Sequence, residues 1–472
     1  MIENRETELS PLNLFYHMMS RRISPNSCDL VVLDGHLDHR TLKRAACRAL
    51  QRHPRLSSYL VTRGRKHFWR VPRDEMAIDF RSHALTVDDP GAVDACLMAN
   101  IWDERLRLES DRPVRFHLIE TPSRSYLQTI HTHVYADATS CYLLTQHIAE
   151  SYAAHDAGRP FSTTPIDVEQ RGGRALATLR HPTRAALGHV LDAARLNLPD
   201  LFGPGGGLEL PEAPPGPRAF SRVCLDPHQT KELISGARSL QSTLHNLVKL
   251  AFLRAADRFN RRRGAPSRPL RVWDFFSLRS LAPQDTASLY DCLATIYPVA
   301  MDPAWSDEAA LRVFKDQVQA LRAGAAVAHV ERFRWLIRIL GTALPSAWPY
   351  LFKSNVFLTN PGVCPSRLDT IGGVPVIDYI TFPQLFTPAK VMFVVATFRD
   401  CLRILAIYDR AAFDDNFEDA LFTPFLAELQ RVSGTAIDAA PRPGFIAGWN
   451  PLPSGPAANP QRAPARALGI EA

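Results

Sequence analysis

The sequence predicts an α/β (α+β) protein of two lobes facing across a cleft. Three observations carry this. Strand-like and helix-like segments alternate along the chain, its 472 residues are 46% hydrophobic, and a run rich in Pro and Gly divides it near the middle. A chain of this length buries one large or two ordinary cores. Pro199 to Arg218 contains Gly203-Pro204-Gly205-Gly206-Gly207 and Pro211, Pro214, Pro215 and Pro217. That composition favours an extended crossing linker over helix or strand. The expected organisation is an N-terminal lobe over 1–198, a linker over 199–218 and a C-terminal lobe over 219–440. The Pro- and Ala-rich tail over 441–472 has little apolar periodicity, so it is expected to be mostly disordered.

In chain order, Asp29 to Leu33 reads as a strand before a helix over Arg40 to Gln51, and Asp94 to Leu106 reads as a second helix. Ser125 to His133 alternates apolar and polar residues as a strand does. Beyond Asp137, the residues Cys141, Leu144, Ile148 and Tyr152 recur at helical spacing, and the Asp137 carboxylate is placed to cap the first turn. In the second lobe Arg222 to Leu225 and Leu270 to Phe276 are strand-like, while Pro227 to Leu240 and Thr243 to Phe259 are helical. The stretch Phe333 to Leu340, with Trp348 and Tyr350 beyond, reads as a core helix, with a lipid tunnel or bilayer contact as the alternative. Val391 to Phe398 and Leu402 to Tyr408 form a hairpin through Arg399-Asp400, followed by a helix over about Asn416 to Val432.

The most informative run is Ile130 to Ser140, I-H-T-H-V-Y-A-D-A-T-S, which places His133 four residues before Asp137 where a strand passes into a helix. An imidazole there titrates near neutral pH and can take a proton from a hydroxyl or amine as that group attacks a carbonyl. The spacing alone is weak, since roughly one such pair is expected by chance. Metal binding is the competitor, because His131 and His133 share a strand face and two histidines so spaced can chelate zinc. Val134, Tyr135 and Ala136 offer no third ligand, so no metal is expected.

His133 through Tyr152 resembles the signature of the chloramphenicol acetyltransferase-like superfamily, which includes peptide-synthetase condensation domains and wax ester synthases. The family pattern is His-His-x-x-x-Asp-Gly, then a small polar residue, a leucine-rich helix and a tyrosine. Here the run is Thr132, His133, Asp137, Ala138, Ser140, Leu143, Leu144, Ile148 and Tyr152, departing at Thr132 and Ala138. Leu9-Ser10-Pro11-Leu12 with Phe15, Arg52-His53-Pro54-Arg55-Leu56 and Asp111 to Phe116 resemble the family's earlier landmarks. Ser277-Leu278-Arg279 and Val356 to Gly362 resemble its later ones. The order and spacing of these pieces carry the likeness over most of the chain.

The resemblance implies two lobes of mixed sheet and helices in a V shape with a central cleft or tunnel. It implies an acyltransferase in which His133 deprotonates the acceptor and no acyl-enzyme forms. Asp137 would be structural and paired with Arg279, and Thr132, Thr359 and Asn360 are candidate substrate contacts. No permanent cofactor is implied; the co-substrate would be acyl-CoA or an acyl thioester on the phosphopantetheine of an acyl or peptidyl carrier protein. The acceptor would be a hydroxyl or amine of a lipid or secondary metabolite. A free-standing condensation enzyme joining carrier-bound intermediates is the rival. A noncatalytic carrier- or acyl-binding relative is the alternative of another class, motivated by Thr132 and Ala138.

The net charge of +7 would attract coenzyme A phosphates, an acidic carrier surface or anionic lipid. No zinc-finger spacing or RNA-binding aromatic signature is present, and Arg261-Arg262-Arg263 is the longest basic run, so nucleic acid is not an expected partner. Gly203 to Gly207 is followed by no lysine, which rejects a nucleotide loop. The eight cysteines are scattered with no C-x-x-C pair and read as reduced, Cys141 as a packing residue. No signal sequence and no 18-residue apolar run is seen. A cytoplasmic monomer is expected, with peripheral membrane contact left open.

Overall fold

The computed structural model describes residues 6–20, 26–64, 66–72, 78–102, 106–166, 206–211, 214, 216–281, 286, 288–352, 354–364, 368–385, 388–413 and 416–447. The linker residues 199–205 and the tail from 448 onward lie outside them. Its strands are β1 Glu6–Glu8, β2 Asn26–Leu33, β3 Tyr59–Arg63, β4 Lys66–Arg70, β5 Phe80–Ala84, β6 Val114–Glu120, β7 Ser125–Thr132, β8 Arg218–Leu225, β9 Leu270–Ser277, β10 Ala294–Met301, β11 Val356–Val363, β12 Thr370–Ile371, β13 Val374–Pro383, β14 Val391–Phe398, β15 Cys401–Asp409 and β16 Arg442–Pro443. Its α-helices are α1 Pro11–Ser20, α2 His39–Gln51, α3 Pro90–Trp102, α4 Ala138–Asp156, α5 Pro227–Ser239, α6 Leu244–Arg262, α7 Asp307–Ala320, α8 Ala326–Leu340, α9 Leu344–Phe352 and α10 Thr423–Ser433.

Local chemistry explains the helix starts. Asp38 accepts from the Thr41 amide at 2.7 Å and opens α2, whose Leu42, Ala45, Ala46, Ala49 and Leu50 form one buried stripe. Asp226 and Gln229 form a reciprocal capping box ahead of α5, with Pro227 in the first turn where no intrahelical donor is needed. Thr243 caps α6 through the Asn246 amide. Asp137 caps α4 as its sequence position predicts.

The strands form two mixed sheets and a small one. A six-stranded sheet has the order β12-β13-β2-β7-β6-β5, a seven-stranded sheet β10-β9-β11-β14-β15-β8-β16, and a three-stranded sheet β1-β4-β3. β14 and β15 form the expected hairpin, turned by Arg399 and Asp400 at φ values of 49° and 61°. Two adjacent residues in the left-handed region match the right-handed twist of the flanking strands. Every residue of β7 is buried, so both faces of this strand are covered rather than one.

One expected boundary changes. The C-terminal lobe is not the contiguous block 219–440, because β13 pairs antiparallel with β2 along Ser27 to Leu33 and so completes the N-terminal sheet. The linker is pinned where it is described. Leu208 donates its amide to Asn355 Oδ1 and accepts from Asn355 Nδ2, and a Cβ on Gly206 or Gly207 would collide with Pro269 O or Asn355 Oδ1. The tail is ordered as far as residue 447. Its β16 pairs with β8, and the amides of Phe445, Ile446 and Ala447 donate to the Asp94 carboxylate at the start of α3 while Phe445 and Ile446 are buried. Those amide bonds and two apolar side chains supply what the Pro- and Ala-rich composition does not suggest.

The helix over Phe333 to Leu340 forms. Phe333 is buried and stacks on Phe15 of α1, whereas Trp335 and Ile339 are exposed. No helix among the described residues is long and apolar enough to cross a membrane.

Two histidine pairs lie within the N-terminal lobe. His53 Nε2 is 2.9 Å from His147 Nδ1, and His83 Nε2 is 2.9 Å from His117 Nδ1, with the rings stacked in both. Each N–H···N bond needs one donor and one acceptor nitrogen, so at least one ring of each pair is neutral. Burial pushes His53 and His117 down to about 3 and His147 to about 4. The unfolded chain takes up these protons near the ordinary value of 6.5. Between the two values the unfolded state binds more protons, and stability falls as pH falls. Each such histidine then costs about 2 kcal/mol at roughly pH 5. Thermal midpoints measured from about pH 8 to about pH 4.5 are expected to hold level and then decline below about 6.5, with a shallower decline in His117→Gln. A midpoint independent of pH across that window removes the assignment of neutral rings.

Candidate active site

The turn between β7 and α4 is built from its own backbone. The amides of Tyr135 and Ala136 both donate to Thr132 O, at 3.0 and 3.2 Å. Thr132 Oγ1 accepts from the Val134 amide at 3.3 Å, so Thr132 braces the turn. Asn13 of α1 donates from Nδ2 to Val134 O at 2.7 Å and holds the turn from outside. β7 ends at Thr132, which places His133 in the turn and not on the strand face of His131.

His133 is half-buried and its ring is fixed. Nδ1 lies 2.9 Å from Ala136 O, and because a carbonyl only accepts, Nδ1 carries the proton. Nε2 is therefore left with its lone pair, buried and without a hydrogen-bond partner. Tyr16 of α1 stacks on the ring, with centroids 5.4 Å apart and planes 18° from parallel. Burial, opposed by the Ala136 carbonyl and by Asp137, lowers the imidazole to about 4, so it is neutral at physiological pH. The arrangement is an oriented base with one vacant acceptor atom.

Asp137 faces the other way. Its carboxylate accepts from the Ser140 amide at 2.9 Å, the Leu293 amide at 3.1 Å, and Arg279 Nε and Nη2 at 2.8 and 2.9 Å. Burial alone would raise this carboxyl; the two-pronged Arg279 guanidinium overrides it and holds the group below the usual carboxylate range. β9 ends at Ser277, and the 3-10 turn Leu278–Leu281 delivers Arg279. Its Nη1 donates to Thr286 O, and Nη2 also lies within hydrogen-bond distance of Leu289 O and Asp291 O. The structure thus brings together His133, Asp137 and Arg279 at one turn, with Asp137 and Arg279 supporting it.

Residues 289–293 fasten the second lobe to this turn. The Asp291 carboxylate takes Arg55 Nη1 at 2.6 Å and Asn13 Nδ2 at 3.2 Å, and its amide donates to Ser140 Oγ at 3.0 Å. Arg55 stands in the Arg52 to Leu56 motif, but Asp291 has no sequence signal, since its partners are far away in the chain. Tyr16 is equally silent. Thr359 and Asn360 are on β11, where the register with β14 shifts, and Asn360 Oδ1 accepts from the Gly362 amide at 2.9 Å. Among the described residues no hydrogen bond joins either to His133.

A solvent-open pocket of the second lobe, lined in part by Arg254, Asp257, Arg258, Asp307, Glu428 and Arg431, does not include His133. Arg254 and Arg431 pair with Asp307, and Arg258 pairs with Glu428. Its charges satisfy one another.

No family model matches the sequence, and no curated protein matches it. Solved structures do match. The first condensation domain of the calcium-dependent antibiotic synthetase, in complex with a substrate analogue, is 17% identical with a TM-score of 0.69, over 92% of this chain and 100% of that one. The chain has the fold of this condensation domain. The same fold is found in the epimerization domain of the third module of tyrocidine synthetase B, 13% identical with a TM-score of 0.68 over 91% and 97% of the two chains. The starter condensation domain of rhizomide synthetase, a mutant in complex with C8-CoA, is 16% identical with a TM-score of 0.67 over 94% and 98%. Condensation and epimerization domains share this fold, so the fold does not choose the reaction.

Proposed function

We propose that the protein transfers an acyl group from a thioester, on coenzyme A or a carrier-protein pantetheine, to a hydroxyl or amine, with His133 as general base. The observation that carries this is the bare, buried Nε2 of His133, aimed by the bond from Nδ1 to Ala136 O. As the acceptor oxygen or nitrogen bonds to the thioester carbonyl carbon, its proton passes to Nε2. The carbonyl electrons move to oxygen, then return as the carbon–sulfur bond breaks, and His133 gives its proton to the departing thiolate. No acyl-enzyme is required. Asp137 and Arg279 hold the turn and take no proton, because the Asp137 carboxylate is already engaged by donors of the protein itself.

Support for an acyl-CoA donor comes from a structure of like fold solved with C8-CoA. Support for carrier-bound partners comes from the condensation domains of like fold. The test supplies the full chain with acyl-CoA and acyl-carrier donors and a panel of alcohols and amines, with products followed by intact mass. Transfer is expected, and His133→Ala should slow it by roughly 10²- to 10⁴-fold while the far-ultraviolet circular dichroism stays unchanged. Carrier binding without turnover in the unaltered protein would show a noncatalytic binding module instead.

A further inference from the structure

We propose that Asp29, His131 and Cys141 hold a divalent metal ion, zinc by ligand type, directly behind the catalytic turn. The three come from β2, β7 and α4, and one ligand atom of each lies within 4.8 Å of the others. All three side chains are fully buried. A carboxylate oxygen, an imidazole nitrogen and a thiolate are a donor set that suits zinc, which takes oxygen, nitrogen and sulfur in tetrahedral sites. A water completes such a shell.

The second observation is electrostatic. Among the described residues the buried aspartates Asp137, Asp257, Asp274, Asp291, Asp378 and Asp409 each have an arginine or lysine partner. Asp29 has only His131 Nε2, at 3.0 Å from Oδ2, and its Oδ1 is buried with no hydrogen-bond partner. A carboxylate so placed requires a cation. The third observation is orientation. His131 Nδ1 sits 2.5 Å from the Tyr290 hydroxyl, which can accept a proton from Nδ1 when a metal takes the Nε2 lone pair on the Asp29 side. That is how a metal-bound histidine is usually fixed from its far side.

Without a metal, burial and the nearby Asp29 charge keep the Cys141 thiol protonated. Binding a dication expels that proton to solvent, and the charges of ion, carboxylate and thiolate then cancel. His131 and Cys141 flank the turn: β7 runs from one into His133, and α4 begins at Asp137 before the other. The ion clamps both ends of the turn that carries His133. The spacing of His131 and His133 hides this, because the partners of His131 stand on other elements.

The full chain, purified without chelator, is expected to carry about one equivalent of zinc by elemental analysis. Titrated with cobalt chloride after zinc removal, it should show a cysteinate-to-cobalt charge-transfer band in the near ultraviolet. Cys141→Ser should lose that band, and Tyr290→Phe should bind cobalt about 10- to 100-fold more weakly. A folded protein with no zinc and no such band overturns the proposal. A band that survives Cys141→Ser overturns it equally. Neither readout depends on acyl transfer.

Discussion

Arg279→Ala is expected to destabilise the protein by about 3 to 5 kcal/mol and to cut its soluble yield. The guanidinium is buried, and it neutralises an Asp137 carboxylate that is also buried. Its loss strands that charge and also removes the donor to Thr286 O, Leu289 O and Asp291 O, which lie on the segment binding the second lobe to the turn that carries His133. Arg279→Lys should recover little, because one ammonium cannot reproduce a two-pronged contact plus three carbonyl bonds. Thermal denaturation and soluble expression measure this. A variant with the parental midpoint would show that Arg279 does not hold the turn.

Asp378→Ala should have an effect of the same size. Asp378 is on β13, in the N-terminal sheet, yet its carboxylate accepts from Arg222 of β8 and Arg403 of β15, both in the other sheet. Burial would raise this carboxyl, and Arg403 and Arg222 together hold it below the usual range. Removing it leaves two buried guanidinium groups facing each other, at a cost of about 3 to 5 kcal/mol. The double variant Asp378→Ala with Arg403→Met should be more stable than Asp378→Ala alone, since it leaves one stranded buried guanidinium instead of two. Chemical denaturation of the three proteins decides it; a double variant weaker than the single one contradicts the charge argument.

Local chemistry made much of this legible in advance. The cap at Asp137, the apolar stripe of α4 and the β14–β15 hairpin are written in residues only a few positions apart. So was the turn carrying His133, and the pairing of Asp137 with Arg279 followed from a likeness in motif order. What stayed hidden depends on distant partners. Nothing within β13 says that β2 is its neighbour. His131 looks like a polar residue on a strand until Asp29 and Tyr290 arrive from elsewhere. Residues 445–447 looked unstructured by composition because the Asp94 carboxylate that receives their amides stands far upstream.

The placement of β13 bears on how the protein is made. β2 has β7 on one side and β13 on the other, so its outer edge is bare until residues beyond 373 have left the ribosome. During that interval a nascent chain offers unpaired amides and carbonyls to any neighbouring strand. Dividing the gene at the central linker would make that exposure permanent, and the first half on its own would be a sheet lacking a border.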